Sequence, residues 1–221
     1  HYPLRRQRQM CIRDRLRKAL KDAGFGNIPV IAASLQGVED NPGFSLTAPL
    51  IHRMVQAITL GDLLQKVHLR TRPYEAVPGL ADRLMRRWTT IAREHFLNGG
   101  HSTTWGRRTS YKTIINGIVD DFEHLDLVDG PRKPRVGVLG EILVQFHPDA
   151  NNHIVETIES EGCEAVLPGL MWFVYNCLSA GDYNYKTFGT DKWSRHVKKA
   201  FRALLMPVSY THLTLPTKRI V

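Results

Sequence analysis

The stretch that decides the fold is residues 135–167, which read RVGVLGEILVQFHPDANNHIVETIESEGCEAVL. Arg135–Gly140 is a short apolar run that ends in glycine, and Glu164–Leu167 is a second apolar run, so both are predicted strands. Between them, Asn151–Gly162 places apolar side chains at helical spacing. Strand, loop, helix and strand in this order predict a βαβ unit with parallel strands and a right-handed crossover.

The segment that precedes this unit, residues 46–128, has the pattern of a helical segment. Apolar side chains recur there every three or four positions, which predicts three amphipathic helices, at Thr47–Leu69, Gly79–Asn98 and Arg107–Leu125. The polar segment Asp129–Pro134 contains two prolines. It is predicted to separate the helical segment from residues 134–206, which are expected to be the start of a second Rossmann-like α/β domain.

A further α/β piece is expected at residues 16–45, as the end of a first domain. Leu16–Ala23 is predicted to be the end of a helix, because Gly24 follows at the usual terminating position. Ile28–Ala33 is apolar and is predicted to be a buried parallel strand. Beyond the second domain's strands, further helices are predicted, at Leu170–Leu178 and Asp191–Leu205. The predicted fold class is therefore α/β, with fragments of Rossmann-like parallel βαβ units joined by a helical segment.

Both ends of the chain are expected to be foreign sequence. Gln9–Arg15 back-translates to CAGATGTGTATAAGAGACAG, and the reverse complement of this DNA, with one preceding base, encodes Pro207–Leu213. One DNA sequence in two orientations is typical of a library adapter. We therefore interpret residues 1–15 and 207–221 as translated adapter and expect the remainder to be a fragment of a larger protein.

The charge of the chain is concentrated in those ends. Residues 1–15 hold five arginines and one aspartate, and residues 208–221 hold Lys218 and Arg219, so residues 16–207 carry only +3 of the total +9. We therefore expect no nucleic-acid partner. The sequence has no uninterrupted apolar run of about 18 residues, so no membrane partner is expected. Of the three cysteines, Cys11 lies in the expected adapter, and the other two, Cys163 and Cys177, are isolated, which suits a reducing cytoplasm and predicts no metal site.

The richest segment for chemistry is the loop Gly140–Asn152, which follows the first strand of the βαβ unit. Open α/β sheets bind ligands at this edge. Glu141 and His147 are the candidate acid–base residues, and the candidate substrate-binding residues are Gly140, Asn151 and Asn152. The alternative is that Asn151 or Asp149 caps the following helix and that His147 packs on the loop. The glycines give only G-x-x-G, which does not support dinucleotide binding.

A second polar cluster, Arg70 and Arg72 beside Tyr74, lies between the first two predicted helices. Two arginines near a turn are suited to binding a phosphate or a carboxylate, and both are candidate substrate-binding residues. Surface ion pairing is the alternative. Trp172 is interpreted as a core or interface anchor, and Cys163 as a small buried residue.

An ordered series of short segments then points to a family. The segments are Leu16–Phe25, Asn41–Phe44, Gly61–Leu64, Arg72–Glu75, Lys133–Val144, Phe146–Pro148 and Asn151–Asn152. Together they resemble the C-terminal part of the large CoA-substrate-specific enzyme activases, which are related to the activator and the D-component of (R)-2-hydroxyacyl-CoA dehydratases. The resemblance covers nearly all of residues 16–206.

The resemblance implies a parent protein with an actin-like ATPase portion and a [4Fe-4S] cluster, in which ATP hydrolysis drives an electron into a partner dehydratase. The implied partners are dehydratase subunits or other domains of the parent, and acyl-CoA. This chain departs from that pattern, because it has no phosphate loop and because Pro168-Gly169-Leu170 follows the second strand without a cysteine. No cofactor and no catalysis are therefore expected in this piece. The alternative function is a non-catalytic α/β docking or CoA-binding module.

Overall fold

A computed structural model describes residues 14–28, 30, 47–99, 101–102 and 107–189, and three isolated positions, 196, 199 and 203. The described part is mostly helical and contains a small parallel strand pair. The chain forms two compact units, residues 1–48 and residues 49–221. Several predicted segments lie mostly outside the described residues. They are the strand Ile28–Ala33, the helix Asp191–Leu205 and both expected adapter segments.

The described part of the first unit is one helix and its C-terminal turn. Residues 14–22 form α1, and Gly24 follows with a φ of +84°. A positive φ is adopted without strain only by glycine, so Gly24 ends the helix as the sequence predicts. The amide of Phe25 then donates to the carbonyl of Leu20 over 2.7 Å, which closes the turn.

The second unit begins with three helices: α2 (Ala48–Thr71), α3 (Leu80–Leu97) and α4 (Tyr111–Glu123). The predicted start of the third helix at Arg107 is wrong. Arg107–Arg108 is strand β2, which pairs antiparallel with β1 (His101–Ser102). Helix α4 begins later because the Ser110 side chain accepts a hydrogen bond from the amide of Thr113 over 3.1 Å.

The main hydrophobic core lies among these three helices. Its largest fully buried side chains include Trp88, Phe122, Leu60, Ile91, Ile114 and Ile118. The Trp88 indole nitrogen donates to the Asp121 carboxylate over 2.9 Å, so its one polar atom is satisfied. Burial of each such side chain contributes about 1.5–3 kcal/mol. The apolar periodicity of the sequence therefore corresponds to a packed helical core.

A second, two-stranded sheet consists of β3 (Arg135–Gly137) and β4 (Glu164–Val166), which are parallel as predicted. Three short elements connect them: α5 (Ile142–Phe146), a 3-10 turn at Pro148–Ala150, and α6 (Ile154–Ser160). Helix α7 (Leu170–Phe188) follows β4 and continues well past the predicted end at Leu178. Both strands are shorter than predicted, and all of β3 is exposed, because β4 is its one strand partner among the described residues.

The start of α6 also differs from the sequence prediction. The helix predicted from Asn151 begins at Ile154, because Asn152 and His153 adopt positive φ angles of +55° and +53°. A positive φ is uncommon outside glycine, but asparagine and histidine adopt it more often than most other residues. The two residues turn the chain between the 3-10 turn and α6.

The polar segment predicted to divide two domains lies within the second unit. Its residues are fastened to the turn after α2: the Lys133 amide donates to the Tyr74 hydroxyl over 3.0 Å, and the Lys133 ammonium donates to the Pro73 carbonyl over 2.7 Å. The Tyr74 hydroxyl in turn donates to Glu164 in β4 over 3.1 Å. The helical core and the strand pair are therefore joined by direct contacts.

Candidate functional site

A groove of about 290 Å³ lies between α2, the strand pair and α7. Helix α2 contributes Asp62, Lys66 and Arg70, whose spacing of four residues places them on one face of the helix. Arg135 enters from β3, and Trp172 and Tyr175 from the first turns of α7. The groove therefore combines cations, one carboxylate and aromatic rings.

One end of the groove is fixed by Asp62. Its carboxylate accepts hydrogen bonds from the amides of Leu170, over 2.7 Å, and Met171, over 2.8 Å. These are the first amides of α7, which have no partner inside the helix. A Cβ on Gly169 would lie 2.5 Å from the Asp62 carboxylate, so glycine is required at this close approach. Burial raises the pKa of Asp62, although the two amides partly oppose it.

Three cations crowd the middle of the groove. Partial burial lowers the pKa of Lys66, and the charges of Arg70 and Arg135 lower it further. Burial and the charge of Arg135 likewise lower the pKa of Arg70, while Glu164 partly opposes them. Like charges held close together repel, so an anion placed among them would be stabilised.

Glu164 is a carboxylate close to these cations, and both of its oxygens already have partners in the protein. Its side chain is 1% exposed. Arg135 Nε lies 3.2 Å from one carboxylate oxygen, and the Tyr74 hydroxyl donates to the other. Glu164 therefore holds the Arg135 guanidinium group beside the groove, while nearly half of the Arg135 side chain stays exposed.

The wall opposite α2 is aromatic. Trp172 is 58% exposed, so it is not a core residue and its role as an interface anchor stays a prediction, whereas its neighbour Met171 is 4% exposed and packs against Val55. The floor of the groove includes Ala165, which is 1% exposed. A large aromatic ring left exposed beside cations offers a flat surface on which a ligand ring can stack.

The predicted acid–base residues lie elsewhere, immediately before and immediately after α5. Glu141 and His147 are both exposed, and His147 Nδ1 lies 3.9 Å from the exposed carboxylate of Asp149. Gly140 and Asn152 are also exposed. These four residues are accessible to a ligand, and their catalytic or binding role stays a prediction.

Asn151 is engaged in holding this loop together. Its amide nitrogen donates to the Val144 carbonyl over 2.9 Å, and its oxygen accepts from the Ile154 amide over 3.3 Å. It thus links the end of α5 to the start of α6. Asn151 also lines a cavity of about 190 Å³ together with Arg72, so the structure brings these two predicted residues together.

The two arginines predicted to act as a pair have different surroundings. Arg72 Nε lies 2.7 Å from Glu159, and its Nη1 lies 3.7 Å from Asp82. Burial opposes ionisation of Arg72, but the hydrogen bond and charge of Glu159 outweigh it and raise the pKa. Arg72 therefore fits the ion-pairing alternative and ties the turn after α2 to α6, whereas Arg70 lines the cationic groove.

Sequence reasoning missed Lys66 and Arg135 as site residues. The spacing Asp62, Lys66, Arg70 was visible as one helical face, but a charged face is usually only solvated. Arg135 comes close to α2 only because β3 pairs with β4, and the spacing of residues along the sequence does not reveal that contact.

Among the described residues, no three His, Cys, Asp or Glu side chains converge as a metal site, and Cys163 and Cys177 are free thiols. In the same part of the chain, no helix combines the length and the apolar character needed to cross a bilayer. No protein-family model matches the sequence, and comparisons with curated proteins and with solved structures give no match either.

Proposed function

We propose that this chain is a binding module of the 2-hydroxyacyl-CoA dehydratase system, which holds acyl-CoA in the groove between α2 and α7. The observation that carries this proposal is the crowding of Lys66, Arg70 and Arg135 in a groove with an aromatic wall. CoA offers what such a groove requires, because it carries several phosphate charges and a flat purine ring. The resemblance in sequence supplies the choice of CoA among phosphorylated ligands.

The proposal assigns chemistry to the parent protein and binding to this chain. ATP hydrolysis, the [4Fe-4S] cluster and electron transfer to the dehydratase belong to the parent. The strand pair β3–β4 is proposed to be part of a Rossmann-like sheet that other domains of the parent or dehydratase subunits complete. The proposed location is the cytoplasm, where acyl-CoA is available.

Titration of the full chain with CoA in a calorimeter tests the proposal. Replacement Arg70→Gln removes one groove cation, and we expect it to weaken CoA binding by about tenfold or more, since a hydrogen bond to a charged group contributes about 1.5–3 kcal/mol. The matched control is Arg93→Gln, which removes an exposed arginine of α3 outside the groove. It should leave CoA binding unchanged.

Absence of CoA binding to the unchanged chain at millimolar ligand would refute the proposed function. Equal weakening by Arg70→Gln and Arg93→Gln would also refute it, because binding would then reflect only the overall positive charge. Measurements at low and high salt separate these cases further, since nonspecific attraction falls steeply with ionic strength.

A further inference from the structure

We infer that Lys66 is the residue by which the groove distinguishes CoA from 3′-dephospho-CoA. The inference rests on the proposed function, and it states which end of CoA lies at which end of the groove. It begins with the order of side chains along α2. Asp62, Lys66 and Arg70 follow one another at four-residue intervals, and each interval advances about 6 Å along a helix.

The two ends of this row differ in their surroundings. Asp62 holds the first turn of α7, so its end of the groove is the one nearest Trp172. Arg70 lines a second cavity of about 220 Å³ as well as the groove. This second cavity is lined by Tyr74, Leu127, Val128, Asp129, Gly130 and Arg132. A ligand that fills both spaces would therefore extend from the aromatic end of the groove, past Lys66 and Arg70, into a partly apolar cavity.

The parts of CoA follow the same order. The purine ring is joined to a ribose that carries the 3′-phosphate, and the diphosphate and the pantetheine arm follow. With the ring on Trp172, the 3′-phosphate reaches Lys66 and the diphosphate reaches Arg70 and Arg135. The arm then enters the second cavity beside Leu127 and Val128. The reverse direction would place the purine beyond Arg70 and leave Trp172 without a ring to stack on.

The chemistry of the cations agrees with this order. An ammonium is a compact charge that suits a single phosphate group, whereas guanidinium groups bind paired oxygens in a fixed geometry. Lys66 is exposed and forms no ion pair with a carboxylate among the described residues. Asp62 lies one turn before Lys66 and Arg70 one turn after it on the same face of α2. Partial burial lowers the pKa of Lys66 most, and the charges of Arg70 and Arg135 lower it further. A phosphate at this position would relieve that repulsion.

The test is calorimetric titration of the full chain with CoA and with 3′-dephospho-CoA. The unchanged chain should bind CoA more tightly. Replacement Lys66→Gln should weaken CoA binding by about tenfold, or about 1.4 kcal/mol, and should leave 3′-dephospho-CoA binding unchanged. Arg70→Gln should weaken both ligands, and Lys66→Arg should restore most of the preference for CoA.

Several results would overturn the inference. If the unchanged chain binds both ligands equally, or if Lys66→Gln weakens both to the same degree, Lys66 does not contact the 3′-phosphate, although the proposed function still stands. If neither ligand binds the unchanged chain, the proposed function fails and the inference fails with it. Circular dichroism of each variant shows whether a loss of affinity reflects a loss of fold.

Discussion

At the scale of single residues, two helical glycines show how packing decides the effect of one methyl group. Gly61 lies in α2 with nothing within 4 Å of a Cβ built on it, whereas a Cβ on Gly117 in α4 would collide with the buried ring of Trp88. Glycine inside a helix costs about 0.5–1 kcal/mol relative to alanine. Alanine should therefore stabilise the helix at Gly61, whereas at Gly117 the collision with Trp88 should destabilise the fold.

Urea denaturation of Gly61→Ala and Gly117→Ala tests this difference. We expect Gly61→Ala to raise the free energy of unfolding by about 0.5–1 kcal/mol and Gly117→Ala to lower it by about 1–3 kcal/mol. Stabilisation by both replacements would show that α4 does not approach Trp88 as closely as described.

Asp82 gives stability a pH dependence in the acid range. Burial opposes its ionisation, but the hydrogen bond with His68 and the charges of His68, Arg72 and Arg86 outweigh burial and lower the pKa below the ordinary 3.8. Because the folded pKa is lower than the unfolded one, Asp82 stabilises the fold above the unfolded pKa. That contribution is lost as the pH falls from the ordinary value through the lowered one.

Thermal unfolding followed between about pH 6 and about pH 2 tests the role of Asp82. The unchanged chain should lose stability steeply below about pH 4, and Asp82→Asn should show a shallower decrease. The matched control, Asp120→Asn, removes a carboxylate that is 73% exposed and should follow the unchanged chain. A curve for Asp82→Asn parallel to that of the unchanged chain would contradict the assignment.

At the scale of elements, α7 depends on a cap that comes from another helix. Asp62 accepts from two of its first amides, and its removal leaves both without a side-chain partner. We expect Asp62→Ala to lower the free energy of unfolding by about 0.5–2 kcal/mol. Hydrogen exchange should show faster exchange at Leu170 and Met171, with little change in α4. Unchanged protection at these two amides would show that water or another group replaces the cap.

Elements also show how far local pattern reaches. The cores of α2, α3 and α4 and the parallel pair β3–β4 follow from apolar spacing, because burial of one face dominates the formation of each element. The start of α6 could not be predicted from apolar spacing, since residue type does not imply the positive φ angles at Asn152 and His153. The two-residue strands β1 and β2 are too short to leave a periodic signal.

The candidate site was predictable only in part, for the same physical reason. Arg70 was identified from its position after an apolar helix, and the structure places it in the groove. The contact between Asp62 and Leu170 joins residues 108 positions apart, and the pairing of Arg135 with Glu164 needs the strand register. Such contacts arise from tertiary packing, which periodicity does not encode.

At the scale of the whole molecule, one unit holds both the helical core and the strand pair. Arg72 with Glu159, and Tyr74 with Glu164, connect α2 and its following turn to the βα elements. The groove spans this junction, because Lys66 and Arg70 come from α2 whereas Arg135 and Ala165 come from the strand pair. Ligand binding and junction stability should therefore be coupled, with CoA raising the thermal midpoint of the chain.

The most direct measurement is a titration of the ¹⁵N-labelled full chain with CoA, followed by amide chemical shifts. The groove predicts that the largest shifts fall at residues 62–70 and 165–175, with the Trp172 indole signal among them. Shifts concentrated in the loop 140–152, with residues 62–70 unchanged, would contradict the groove and favour a site built on Glu141 and His147.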